Sequence, residues 1–228
     1  MKTSNKLLLG IFLTILILTT TVQLMVYAKY KRGDYTAFKR EDYIPMVSLP
    51  VPAARFISMK GFGTCAIKPS DTLKMEIQKD NAGILKYKLV NDTLFITSNS
   101  MDDNGRNNTL VNIYLPATVQ LNAANCTFRV YGTNDLATAP SYNISIQHSY
   151  LFMNFGGAEK KPVFFNQLNL NSISSTIDLS GSATLKDLNL RLTDSKFNDQ
   201  SAGIVKMTVA SDAASRIELS GNNANALK

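Results

Sequence analysis

The sequence contains no tryptophan, one histidine and two cysteines in 228 residues. Two cysteines cannot build a disulfide scaffold. A single imidazole leaves little material for common metal centres or nucleophile–base pairs. There is no phosphate loop and no GxGxxG run. No cysteine stands near the end of the N-terminal apolar run, which removes bacterial-type lipidation. The chain is 45% hydrophobic and 18% charged, too apolar for a disordered polymer. Its net charge of +7 is uneven. Residues 1–45 hold Lys2, Lys6, Lys29, Lys31, Arg32, Lys39 and Arg40 against Asp34, Glu41 and Asp42, a local balance of +4. The remaining residues carry +3, which is no basic footprint for a nucleic acid.

What is present begins with an uncharged run from Leu7 to Ala28. Its 22 residues suffice to cross a bilayer, which takes about 20 in a helix. Tyr27, Tyr30 and Tyr35 then mix with Lys29, Lys31 and Arg32, as at a headgroup level. Two fates fit. A signal peptide would be cut after Val26-Tyr27-Ala28. An uncleaved anchor over residues 1–28 fits better, because the run outlasts a usual signal core. Orientation is contested. Counting cations places the larger part in the cytoplasm, whereas the short basic N-tail before a dense apolar run looks like an export signal. The expectation adopted is a single-pass membrane protein with an extracytoplasmic head in the periplasm or at the cell surface. Residues 29–45 read as an interfacial stalk that anionic lipid would attract.

From residue 46 to 228 no 3.6-residue pattern is sustained. Short alternating runs recur instead, such as Lys74-Met75-Glu76-Ile77, Thr93-Leu94-Phe95-Ile96 and Val111-Asn112-Ile113-Tyr114-Leu115, separated by turn residues. The second half repeats. Ser175-Thr-Ile177-Asp-Leu179-Ser-Gly181 matches Ser195-Lys-Phe197-Asn-Asp199-Gln-Ser201 and Ser215-Arg-Ile217-Glu-Leu219-Ser-Gly221, each 20 residues on. A strand precedes each copy: Leu168–Leu170, Leu188–Leu192 and Val205–Val209. Weaker copies lie at Tyr142–Met153 and Cys126–Gly132, with larger offsets.

A fixed period near 20 with short strands predicts an all-β, single-stranded β-solenoid of roughly 20-residue coils, preceded by one N-terminal transmembrane helix. Alternation sends Ile177, Leu179, Ile217 and Leu219 inward and Asp178, Arg216 and Glu218 outward. One coil cannot bury its apolar row alone; stacking makes the rows continuous. The predicted stacked row is Ile177, Phe197 and Ile217. Gly181 and Gly221 are expected to close strands at turns. Asp199 stands where the other copies have Leu, so that coil must be irregular there or Asp199 must find a partner. The polar tail from Asn222, or an irregular turn, should blunt the last edge. A β-sandwich would also alternate, but would not hold a 20-residue register through three copies.

These patterns carry a family resemblance. Arg55-Phe-Ile-Ser-Met-Lys-Gly-Phe-Gly-Thr-Cys-Ala-Ile, Asn91-Asp-Thr-Leu-Phe-Ile, Val111-Asn-Ile-Tyr-Leu-Pro116 and the Ser-x-Ile-Asp-Leu-Ser-Gly coils make residues 55–221 resemble the GIN domain. That domain is an adhesin-type head domain of bacterial envelope proteins. The family's usual Gly-Ser-Gly before the coil strands is missing; Ser174-Ser175 and Ala214-Ser215 stand there. The resemblance implies a β-solenoid envelope protein and supplies no catalytic residues.

The chemical inventory is sparse. His148 lies between Gln147 and Ser149 without a nucleophile context and reads as a turn residue. Cys65 and Cys126 are 61 residues apart, too far for a local metal motif. Stacked coils would make them either a disulfide or two buried thiols. Met101–Asn108 resembles a calcium loop only loosely and reads as a long hairpin turn. Asp178, Asp187, Asp194 and Asp199 sit on neighbouring coils, where a glycan hydrolase or lyase would need a carboxylate pair. Asn166, Asn169, Asn171, Asn189 and Asn198 could form polar ladders or a flat surface for sugars or proteins. The leading expectation is a non-catalytic adhesion, binding or scaffolding module of the envelope. It has no catalytic or metal residues and no cofactor, with lipid and an envelope polysaccharide or protein as partners. A polysaccharide-acting enzyme and an envelope regulatory or stress-sensing protein are the alternatives.

Overall fold

A computed structural model describes residues 3–33, 45–98, 107–153, 162–179 and 181–226. The chain divides into two units, Met1–Tyr43 and Ile44–Lys228. The first is the helix α1, Thr3–Lys31. Its segment Asn5–Lys31 is long and apolar enough to cross a membrane, and none of its most apolar stretch is buried. The hydroxyls of Thr14, Thr20 and Thr21 donate to carbonyls four residues back, so these polar groups are satisfied within the helix. The expected span ends, Leu7 and Ala28, both lie inside α1. Most of the stalk, 34–44, lies outside the described residues.

The second unit is an all-β solenoid. Its strands in chain order begin with β1 (Met46–Leu49), β2 (Phe56–Lys60), β3 (Phe62–Pro69), β4 (Lys74–Gln78), β5 (Leu85–Val90) and β6 (Thr93–Ser98). There follow β7 (Asn107–Leu115), β8 (Gln120–Ala124), β9 (Thr127–Val130), β10 (Ser141–Gln147) and β11 (Tyr150–Met153). The last coils are β12 (Val163–Ile173), β13 (Thr176–Asp178), β14 (Ala183–Thr193), β15 (Lys196–Asn198), β16 (Gly203–Ser211) and β17 (Arg216–Glu218). A short helix α2, Gly221–Ala224, ends the unit. One sheet runs β1-β4-β7-β3-β9-β11-β13-β15-β17 and is called the short-strand sheet below. The other runs β16-β14-β12-β10-β8-β2-β6-β5 and is called the long-strand sheet.

Each coil places one strand in each sheet, and β8 to β17 stack in parallel in chain order. One inward row of the short-strand sheet is set by register. Val111 pairs with Cys65, Cys65 with Phe128, Phe128 with Leu151 and Leu151 with Ile177. Ile177 in turn pairs with Phe197, and Phe197 with Ile217. All but Ile217, on the terminal coil, are fully buried. Each large side chain in that row contributes roughly 2 kcal/mol of apolar burial.

The start of the solenoid departs from a simple winding. Strands β2 and β3 form one rung, yet the chain builds the rung on their outer side, β6 and β7, only after passing through β4 and β5. Strands β4 and β1 then close the short-strand sheet, and β5 the long-strand sheet, all antiparallel. The runs around Met75 and Leu85 are therefore a cap rather than coils. Strands β6 and β7 belong to different sheets, so their connection is not the hairpin expected at Met101–Asn108. Residues 101–106 themselves lie outside the described residues.

A second departure is a bulge in the long strands. The N–H groups of Asn166 and Gln167 both donate to Pro140 O. The ladders likewise step over Lys186, between Leu185 and Asp187, and over Val205, between Ile204 and Lys206. Alternation flips there. Val205, read from sequence as partner to Met207 and Val209, points outward at 71% exposure, while Ile204 is buried.

Candidate binding faces

The corners between the two sheets explain the Ser period. At each corner one residue takes a left-handed conformation: Gly61, Asn125, His148, Ser174 and Asp194. The next residue is Phe62, Cys126, Ser149, Ser175 and Ser195 in turn. Its N–H donates to the side chain one rung on. Phe62 N–H reaches Cys126 Sγ at 3.4 Å, Cys126 N–H reaches Ser149 Oγ at 3.0 Å, and Ser149 N–H reaches Ser175 Oγ at 3.0 Å. Ser175 N–H reaches Ser195 Oγ at 3.2 Å and Ser195 N–H reaches Ser215 Oγ at 3.1 Å. Ser149, Ser175 and Ser195 each return a hydrogen bond to the carbonyl two residues back, as does the Cys126 thiol. His148 is thus an exposed corner residue of this ladder. Gly181 stands in the turn before β14, as expected, whereas Gly221 opens α2; neither is left-handed. At Gly181 a Cβ would stand 3.0 Å from Gln200 O, a steric reason for glycine.

Cys65 and Cys126 are both buried, and no disulfide joins them. Burial, and then the nearby Cys126, push the Cys65 thiol well up from its ordinary range. A neutral, enclosed thiol is a poor nucleophile. Titration with a disulfide-exchange reagent is expected to find no reactive thiol in the folded chain and two after denaturation. A count of zero after denaturation would reveal a disulfide instead.

The four aspartates singled out as a carboxylate cluster do not converge. Asp178 accepts from Tyr150 on the outside of the short-strand sheet. Asp187 pairs with Lys206 at 3.6 Å on the outside of the long-strand sheet. Asp194 lies at a corner beside Ser174. Asp199 is 2% exposed and faces α2. Its Oδ2 accepts from Ser220 N–H, Ser220 Oγ and Asn223 Nδ2, and its Oδ1 from Ser201 N–H. Burial alone would raise its pKa; these bonds outweigh burial and hold the carboxyl below its ordinary range. Among the described residues no three His, Cys, Asp or Glu side chains gather as a metal site.

Two outer faces remain. On the short-strand sheet, aromatics and cations interleave. Lys68 and Lys74 lie 5.4 and 5.0 Å from the Tyr114 ring centre, and Arg129 lies 5.1 Å from that of Phe152. Tyr150 stacks on Phe152 with centroids 5.5 Å apart. Its bond to Asp178, then burial, raise the Tyr150 pKa to about 12. Sequence reading missed this row, although its signal was there: aromatic residues at the outward positions of alternating strands.

The long-strand sheet presents mainly amides and hydroxyls, with Arg191 and the Asp187–Lys206 pair on the same face. Asn143, Asn169, Asn189 and Thr208 share one row across four rungs, and Ser145, Asn171, Arg191 and Ala210 the next. Asn189 Nδ2 donates to Asn169 Oδ1 at 2.8 Å, and Asn169 Nδ2 donates to Asn143 Oδ1. These rows floor a shallow hollow of about 500 Å³. A second hollow of about 220 Å³ adjoins it, sharing Ser145 and Asn171. A primary amide has two N–H groups, so ladder members keep one for a ligand.

No family model and no curated protein matches the chain. Solved structures do. One, described as a "putative adhesin" of Parabacteroides distasonis, is 10% identical with a TM-score of 0.44, over 73% of this chain and 77% of that one. A "putative cell adhesion protein" of Clostridium sporogenes is 12% identical with a TM-score of 0.32, over 76% and 97%. A "putative lipid binding protein" of Parabacteroides distasonis is 9% identical with a TM-score of 0.29, over 76% and 93%.

Proposed function

We propose that the chain is a single-pass, bilayer-tethered module of the bacterial envelope that adheres to or scaffolds an extracytoplasmic polymer without chemistry. The head would resemble a GIN domain, and residues 1–28 would stay attached as its anchor. The observation that carries the reading is the amide-floored hollow across four rungs. Its donors and acceptors recur at the rung spacing of about 4.8 Å. A polysaccharide, itself a repeating array of hydroxyls, meets such a floor with matched hydrogen bonds. The lipid partner follows from α1, whose apolar side chains are exposed all round.

The full-length chain in detergent micelles, titrated with soluble neutral glucans and mannans, is expected to bind at least one. Asn169→Ala with Asn189→Ala should weaken that binding about tenfold, as loss of about 1.4 kcal/mol from hydrogen bonds implies. Absence of binding to every polysaccharide and envelope protein offered would defeat the reading. Protease shaving of intact and permeabilised cells tests the compartment, and alkaline extraction of membranes tests the anchor.

A further inference from the structure

Among the described residues, five of the nine exposed large apolar side chains of the head lie at one end. Phe56, Tyr87, Leu89, Val90 and Phe95 are 36–44% exposed and lie on β2, β5 and β6, the last three strands of the long-strand sheet. Strand β5 has the sequence Leu-Lys-Tyr-Lys-Leu-Val, and everything after Leu85 is exposed. Lys88 pairs with Phe95 across the ladder and sits 6.0 Å from its ring centre. Among the described residues neither Lys86 nor Lys88 is in an ion pair. The hairpin of β5 and β6 holds a single acidic residue, Asp92, at its turn.

An open, partly apolar edge strand invites a partner. A second copy pairing antiparallel on β5 would bring its lysines close to these, and like charges across a ladder repel. Aromatic and aliphatic side chains interleaved with lysine suit a different occupant, the boundary between lipid headgroups and acyl chains. Connectivity points the same way. The chain from α1 enters the head at β1, the outermost strand of the other sheet at this same end. Residues 32–45 can span at most roughly 50 Å. If α1 crosses a bilayer, β1 is the strand of the head nearest to it along the chain, and β5 edges the other sheet at the same end.

We infer that the β5 end of the head docks on the membrane surface. Lys86 and Lys88 engage anionic headgroups, and Tyr87, Leu89 and Val90 seat at headgroup level. This rests on the tethered reading of α1 but is separable from it.

The test is hydrogen exchange on the full-length chain in lipid nanodiscs, of phosphatidylcholine alone or mixed with phosphatidylglycerol. Amides of residues 85–90 are expected to exchange roughly tenfold more slowly in the anionic discs. Amides of β16, at the far end, should not change. Lys86→Glu with Lys88→Glu should abolish the slowing, and the milder Lys86→Gln with Lys88→Gln should reduce it. Equal exchange in both discs, with the chain inserted, overturns docking and leaves the tether standing. A chain that fails to co-purify with the discs overturns both. Slowing that appears equally in detergent and grows with protein concentration would mean a second copy, and also overturns docking.

Discussion

Replacing Asp199 by alanine is expected to cost about 3 kcal/mol, read as a lowered midpoint in urea denaturation. The carboxylate accepts four hydrogen bonds at the last turn of the solenoid, two of them from Ser220 and one from Asn223. Asn223 in turn holds Ala202 O and the Ile204 N–H. Removing the carboxylate therefore strands buried donors and frees α2 from the terminal coil. Asp199→Leu restores the residue type of Leu179 and Leu219, yet it should also destabilise, because the donors still lose their acceptor. The pH dependence follows from the lowered pKa. A carboxyl depressed in the folded state adds stability above its unfolded pKa, about 3.9, and loses it as pH falls through the folded value. The gap between native chain and Asp199→Ala should thus be constant from about pH 5 upward and close in acid. A gap that persists unchanged at low pH would show that packing, not charge, is what Asp199 supplies.

Ser175→Ala is expected to cost about 2 kcal/mol, because it breaks the corner ladder in the middle. The Ser149 N–H, at a buried residue, loses its acceptor, and the Ile173 carbonyl is left with the His148 N–H alone. Exchange of the Ser149 amide should accelerate with it. Cys126→Ser is the contrasting variant. Cys126 already occupies a ladder position, donating to Ala124 O and accepting from Phe62 N–H. Serine can make both bonds, so stability should change by less than about 1 kcal/mol. Equal losses for the two variants would mean that the corner depends on volume rather than on hydrogen bonds.

The solenoid was legible because its repeat rests on two separate requirements. Inward positions such as Ile177 and Phe197 must be apolar, and each corner needs a small hydroxyl, so Ser175, Ser195 and Ser215 mark the period. The corner residues before them were not legible. Asn125, His148, Ser174 and Asp194 all adopt the left-handed form without being glycine. That conformation is open to short polar residues at modest cost. The bulge at Asn166, Lys186 and Val205 hid for a similar reason, since it is fixed by pairing with the neighbouring coil, at Asn166 by the Pro140 carbonyl. The antiparallel cap hid because β4 and β5 alternate in polarity like any coil strand; only pairing partners distinguish them. The hollow was half legible. The asparagines could be named, but only the register of β10, β12 and β14 shows that Asn143, Asn169 and Asn189 share a row while Asn198 faces the opposite side.

Every hydrogen bond of the Ser175 corner reaches no farther than the adjoining rung, and the next corner repeats it 20 residues later. Both extremities are finished by separate devices, the antiparallel strands at one and α2 at the other. Tandem duplication of one such unit would therefore lengthen the rod by about 4.8 Å without rebuilding either terminus. Rod length is, in this architecture, a heritable dial with discrete clicks.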